Sequence, residues 1–151
     1  MITSRSGRVP KYEIKQAAGF DIAAFLPDGP LVLGAGERAL VPTGLSFQPP
    51  EGYEAQIRAR SGLAARNGIG LVNGIGTVDA DYRGEIKVAV INFSKEDFII
   101  KDGMRIAQVV VSKFKPSPHP RHLKPRKIEV NVCQGCILLI ETCTSLSIGQ
   151  F

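Results

Sequence analysis

Long apolar runs are missing from this 151-residue chain. No stretch approaches the roughly 18 consecutive apolar residues that a membrane-spanning helix needs, so neither a helical span nor a membrane partner is expected. The opening residues, Met1-Ile2-Thr3-Ser4-Arg5-Ser6-Gly7-Arg8, lack the apolar block of a secretory signal, and an intracellular protein is expected. No long helical period and no internal repeat occurs, which excludes helical bundles and solenoids. A basic stripe is lacking too. Of the formal charge of +5, the segment from Lys115 onward supplies +3, through Lys115, Arg121, Lys124, Arg126 and Lys127 against Glu129 and Glu141. The remainder is nearly balanced, so no nucleic acid is expected, and a small phosphorylated ligand fits equally well. Cysteine is scarce and confined to the same segment, as Cys133, Cys136 and Cys143. Cys133 and Cys136 form a C-x-x-C, so a His2Cys2 zinc site can be drawn with His119 and His122. The Pro-rich surroundings offer no turn of zinc-knuckle type, and unpaired thiols are the plainer reading.

What the chain does contain is a steady series of short strands in a single domain large enough for its own core. Val9 to Ala24 reads as an extended segment in which Phe20 and Ile22 alternate with Asp21. Leu31-Val32-Leu33 and Arg38 to Phe47 follow, separated by turns at Pro27 to Pro30 and at Gly34 and Gly36. Tyr53, Ala55, Ile57 and Ala59 alternate with Glu54, Gln56 and Arg58. Further strands are expected at Ile69 to Asn73, from Ile86 to Ile91, at Phe98 to Ile100 and from Arg105 to Val111. Such spacing predicts an antiparallel barrel or sandwich over residues 1–114. From Lys115 the character changes: prolines forbid regular structure, and an apolar, cysteine-bearing end follows, within which Ile137 to Ile140 could form a strand. Residues 115–151 therefore read as a separate tail.

Two stretches carry candidate chemistry. The first, Gly74 to Gly84, joins three glycines, which free the backbone for positive φ and close ligand approach, to Asp79, Asp81 and Tyr82. As a strand ending in a turn it would put Asp79 and Asp81 on one face of a glycine-lined, hairpin-like lip. The same residues also admit an Asx-type turn with an exposed tyrosine. In the second, Ser61 reads as an N-cap, Leu63 to Arg66 as helix formers and Asn67-Gly68 as a stop, so one or two helical turns are expected. Arg60 ahead of a helix start makes an anion site, because free N–H groups, the helix dipole and a guanidinium fork all favour phosphate oxygens. An ordinary capped turn is the alternative.

Taken together, five pieces in order resemble the trimeric deoxyuridine triphosphatases (dUTPases). They are Ala18-Gly19-Phe20-Asp21-Ile22, Pro42-Thr43-Gly44 with Pro50-Glu51-Gly52-Tyr53, Arg60-Ser61-Gly62-Leu63-Ala64, Gly76 to Gly84, and Gly103-Met104-Arg105-Ile106-Ala107-Gln108. The resemblance spans about Val9 to Phe114. It implies an all-β, jelly-roll-like antiparallel barrel with one short helix, assembled as a homotrimer with sites at subunit interfaces. It also implies Mg2+-dependent hydrolysis of dUTP to dUMP and pyrophosphate. Carried over residue by residue, Asp79 activates the water that attacks the α-phosphorus, and Tyr82 lies against the deoxyribose and excludes a 2′-hydroxyl. Asn73, Gly76, Thr77 and Val78 read the uracil, largely through backbone. Arg60, Ser61, Gly62 and Gln108 hold phosphates, Lys87 is a further substrate contact, and Asp21 approaches the metal through water.

Two departures accompany the resemblance. The family begins with another strand before the position of Val9, whereas only eight residues precede it here. The family also ends in an arm of Arg-Gly-x-Gly-Gly-Phe-Gly-Ser type that closes over the nucleotide, and nothing from Lys115 onward matches it. The abrupt change at Lys115 reads as a tail outside the family's reading frame. Two rivals to an active hydrolase stand, the first favoured by the missing arm and opposed by the complete Asp79 and Tyr82 stretch, the second sharing the barrel. One is a nucleotide-binding or regulatory protein with little turnover, and the other is the related dCTP deaminase class, against which the Arg60-Ser61-Gly62 and Thr77 to Tyr82 strings argue.

Overall fold

Alternating apolar and polar residues give each short strand one face for a core and one for solvent. The computed structural model describes residues 1–115, and in chain order its elements are β1 (Ile2–Ser4), β2 (Gly19–Ala23), β3 (Leu31–Leu33), β4 (Arg38–Pro42), β5 (Leu45–Phe47), β6 (Tyr53–Ala59), α1 (Ser61–Asn67), β7 (Ile69–Leu71), β8 (Ile75–Val78), β9 (Lys87–Asn92), β10 (Phe98–Ile100) and β11 (Arg105–Lys113). A four-stranded sheet runs β2-β11-β6-β8 and a three-stranded sheet β4-β9-β7, with the pairs β1-β5 and β3-β10 beside them. Every ladder is antiparallel. The all-β fold with one short helix is as expected. Among the described residues, no helix is long and apolar enough to cross a membrane.

Register explains which side chains enter the core. In the larger sheet Phe20, Val109, Ile57 and Gly76 form one cross-strand row, and its three side-chain-bearing members are buried. The next row, Asp21, Gln108, Arg58 and Ile75, must then face outward, because a one-residue step reverses the face. From the smaller sheet Val41, Val88 and Val90 pack into the same apolar cluster. The one large polar side chain at the centre, Asn92, is satisfied: its amide donates to Leu33 O at 2.9 Å and Glu96 O at 2.8 Å, and its oxygen accepts from Ser94 N at 2.9 Å.

Several local expectations change. A strand does precede Val9, since β1 pairs with β5. Regular structure between Val9 and Ala24 is confined to β2, and Ala17 N donates to Ile14 O at 3.0 Å in a turn before it. The helix has its stop where expected, at Gly68, whose φ of 66° is left-handed. Its N-cap is Arg60 with no side-chain cap bond, so Ser61 is the first helical residue and not the cap. Of Gly74, Gly76 and Gly84, only Gly74 has positive φ, at 67°.

Candidate active site

The outward row of the larger sheet supplies the first cluster. Asp21 on β2 and Gln108 on β11 are register partners, and β6 ends at Ala59 so that Arg60 and the start of α1 arrive beside them. Asp21 Oδ2 accepts from Arg60 Nη2 at 3.0 Å and Arg105 Nη1 at 3.3 Å. Arg60 Nη1 donates to Arg105 O at 3.1 Å, which fixes the fork. Asp21, Arg60, Ser61, Gly62 and Gln108 together line a cavity of about 220 Å³. These are all five residues that the sequence assigns to phosphate and metal. Gly62 is tight for a different reason: a Cβ there would lie 2.8 Å from Arg66 Nη2, so the glycine lets a further guanidinium lean over the helix start. Arg105 was not singled out as a site residue. Its place beside Asp21 depends on a register shift between Arg105 and Ala107, which the sequence does not signal.

The second cluster forms where the chain leaves one sheet for the other. β7 pairs with β9, and Val72 N still donates to Ala89 O at 2.9 Å. The left-handed Gly74 then turns the chain away, and β8 pairs with β6. The stretch is thus a hairpin-like connection between β7 and β9 whose first half crosses to the other sheet. Asn73, Gly76, Thr77, Val78, Tyr82 and Lys87 line the resulting cavity of about 300 Å³, with Leu40, Ile57, Leu71, Ile86, Val88 and Ala89 as its remaining, largely apolar lining. All six were assigned to the substrate from sequence. Leu40, an exposed residue on β4, is an unanticipated member.

Asp79 joins neither lining. β8 stops at Val78, so the same-face argument for Asp79 and Asp81 fails: both lie in a turn closed by Tyr82 N donating to Asp79 O at 3.1 Å. Arg83 Nη1 clamps that turn through Ala80 O at 2.8 Å and Tyr82 O at 2.9 Å. Asp79 is left exposed just past the end of β8. Tyr82 folds back over Gly84, where a Cβ would meet its hydroxyl at 2.6 Å, and the hydroxyl donates to Glu85 O at 2.9 Å. The drawn zinc set of His119, His122, Cys133 and Cys136, the Ile137 to Ile140 strand and the rest of the tail from 116 onward lie outside the described residues.

The comparisons converge on one family and one fold. The dUTPase family pattern matches residues 5–132, beginning before Val9 and running past Lys115. The deoxyuridine 5'-triphosphate nucleotidohydrolase of Agrobacterium fabrum is 59% identical over 105 residues, covering 69% of this chain and 67% of the relative. The crystal structure of the Streptococcus mutans dUTPase superposes with a TM-score of 0.67 at 27% identity, covering 74% of this chain and 89% of that one. A dUTPase from phage phi11 of Staphylococcus aureus, described with a structural Mg(II) ion, shares the fold at a TM-score of 0.72 and 21% identity, covering 85% and 97%. The chain belongs to the dUTPase family. These likenesses favour a hydrolase over a binding protein without turnover.

Proposed function

We propose that this dUTPase-family enzyme hydrolyses dUTP to dUMP and pyrophosphate with Asp79 as general base, at sites that two copies of the chain build together. The observation that carries this is the sorting of the candidate residues. Six substrate-directed residues share one cleft, five phosphate- and metal-directed residues share another, and the two linings have no member in common. A homotrimer, in which the nucleoside cleft of one copy faces the cationic cleft of the next, accounts for that division.

Within such a site the uracil meets the β8 backbone at Gly76 to Val78 and the Asn73 amide, and the deoxyribose lies against the Tyr82 ring, which leaves no space for a 2′-hydroxyl. Lys87, on the rim of the same cleft, adds a cationic contact. Arg60, the Ser61 hydroxyl, the Gly62 amide and Gln108 take phosphate oxygens, and charge-assisted bonds from the guanidinium are the strongest of these. Asp79 removes a proton from the attacking water; oxygen bonds to the α-phosphorus as the bond to the bridging oxygen breaks, and pyrophosphate departs. Among the described residues no group of three or more acids, histidines or cysteines could hold a metal. The single carboxylate of Asp21 at the cationic cleft suits an ion that arrives on the substrate and keeps its waters. Mg2+ bound in that way supplies charge neutralisation on the triphosphate. We read residues 1–114 as the catalytic barrel domain and residues 115–151 as a tail by composition, with the family match itself running on to residue 132.

Pyrophosphate release from dUTP with Mg2+, measured beside UTP, dTTP and dCTP, tests the reading. Release from dUTP alone is expected; equal release from UTP would remove the Tyr82 role, and none from dUTP would remove the hydrolase.

A further inference from the structure

Pro42-Thr43-Gly44 recurs with the dUTPase strings yet touches neither cleft, and the structure gives it a task. Thr43 is buried, and its hydroxyl donates to Ile86 O at 2.6 Å while accepting from Leu45 N at 3.3 Å. Ile86 N donates to Leu45 O at 2.7 Å. Gly44, with a left-handed φ of 67°, aims its amide away from any strand ladder, and that amide donates to Glu85 Oε1 at 2.8 Å. Glu85 Oε2 accepts from Arg5 Nη1 at 3.3 Å, and Arg5 N donates to Gly44 O at 2.8 Å. Glu85 is thereby gripped by the turn between β4 and β5 and by the N-terminal segment, with its carboxylate side chain only 19% exposed.

The other end of Glu85 faces the cleft. Its carbonyl oxygen is the acceptor for the Tyr82 hydroxyl at 2.9 Å, and the Tyr82 side chain has no other hydrogen bond among the described residues. Residues 79 to 86 contain no strand, so the Glu85–Ile86 peptide that carries this carbonyl is held from two sides only: by Ile86 N on Leu45 O at 2.7 Å and by the Glu85 carboxylate, four bonds from the carbonyl carbon, on the Gly44 amide. An aromatic ring that must exclude a single hydroxyl group has to be held to a fraction of an ångström.

We propose that Glu85 is the positioning residue for Tyr82, transmitting the placement of the Thr43-Gly44 turn and Arg5 to the ring that selects deoxyribose. This rests on the reading of Tyr82 as the sugar-facing residue. Glu85 touches no reacting atom, so its loss should appear in discrimination and KM more than in kcat.

The test is the ratio of kcat/KM for dUTP to that for UTP. Glu85→Ala should lower the ratio about tenfold or more, mostly through KM for dUTP, and Glu85→Gln should restore most of it, because its amide oxygen can still accept from Gly44 N. Tyr82→Phe, which deletes only the hydroxyl donor, should lower the ratio by itself and add little to Glu85→Ala; it carries the test if Glu85→Ala does not fold. An unchanged ratio in Tyr82→Phe, or in a folded Glu85→Ala with a lowered thermal midpoint, would show a merely structural residue and overturn the inference. Tyr82→Ala separates the two claims: if that variant still excludes UTP, the sugar-facing reading itself has failed and the inference falls with it.

Discussion

Arg60 holds Asp21 at 3.0 Å across the end of the larger sheet, joining the residue that caps the helix to the strand two places away through β11. Arg60→Ala should leave Asp21 with Arg105 alone and remove a charge-assisted donor from the proposed phosphate cleft. A lost bond of that kind is worth about 1.5–3 kcal/mol, or about 10–150-fold in KM for dUTP. Arg60→Lys should recover little, since an ammonium cannot serve Asp21 and Arg105 O at once as the fork does. Steady-state kinetics with pyrophosphate as competing inhibitor reads both effects.

Asp79→Asn keeps the shape of the turn and removes the proposed base. Turnover should fall by about 10²–10⁴-fold, while dUTP still binds by calorimetry. Retained turnover would remove Asp79 from its role.

Asp102 offers a check on the N-terminal segment. Its carboxyl is held below its ordinary value of 3.8 by the Leu26 amide, which donates at 2.9 Å, and then by the Arg8 guanidinium paired with it. A lowered folded-state pKa adds stability at every pH above that ordinary value, and the contribution disappears as pH falls through the lowered one. Asp102→Asn should therefore reduce the thermal midpoint at neutral pH, and the difference from the wild type should shrink into the acid range.

Ile100 on β10 has no exposed surface. Ile100→Ala should cost about 2–5 kcal/mol in chemical denaturation at fixed protein concentration, with dUTP specificity unchanged in the folded fraction.

Much of the barrel was legible because burial imposes period two locally: β6, β9 and β11 each show it within a few residues, and β9 alternates buried Val88, Val90 and Asn92 with half-buried Ala89 and Ile91. Pairing was not legible, since a ladder depends on residues far apart in the chain. Nothing in Ile75 to Val78 announces β6 as its partner, and the Ser61 hydroxyl looked like a cap because a serine before helix formers usually is one. The clefts followed a similar division. Their members could be recognised from the strings that contain them, but Arg105 and Glu85 act through partners that only the folded chain supplies.

The crossing at Gly74 has a mechanical side. The backbone that lines the largely apolar cleft is also a strap between the two larger sheets, tied to β9 through Val72 and to β6 through Ile75 to Val78. Under the proposed function, a base would seat on the edge of β8 that is not paired with β6, adding bonds to the segment that ties the sheets together. On that reading a filled cleft stiffens the crossing, so the two sheets should part less readily with substrate bound than without it.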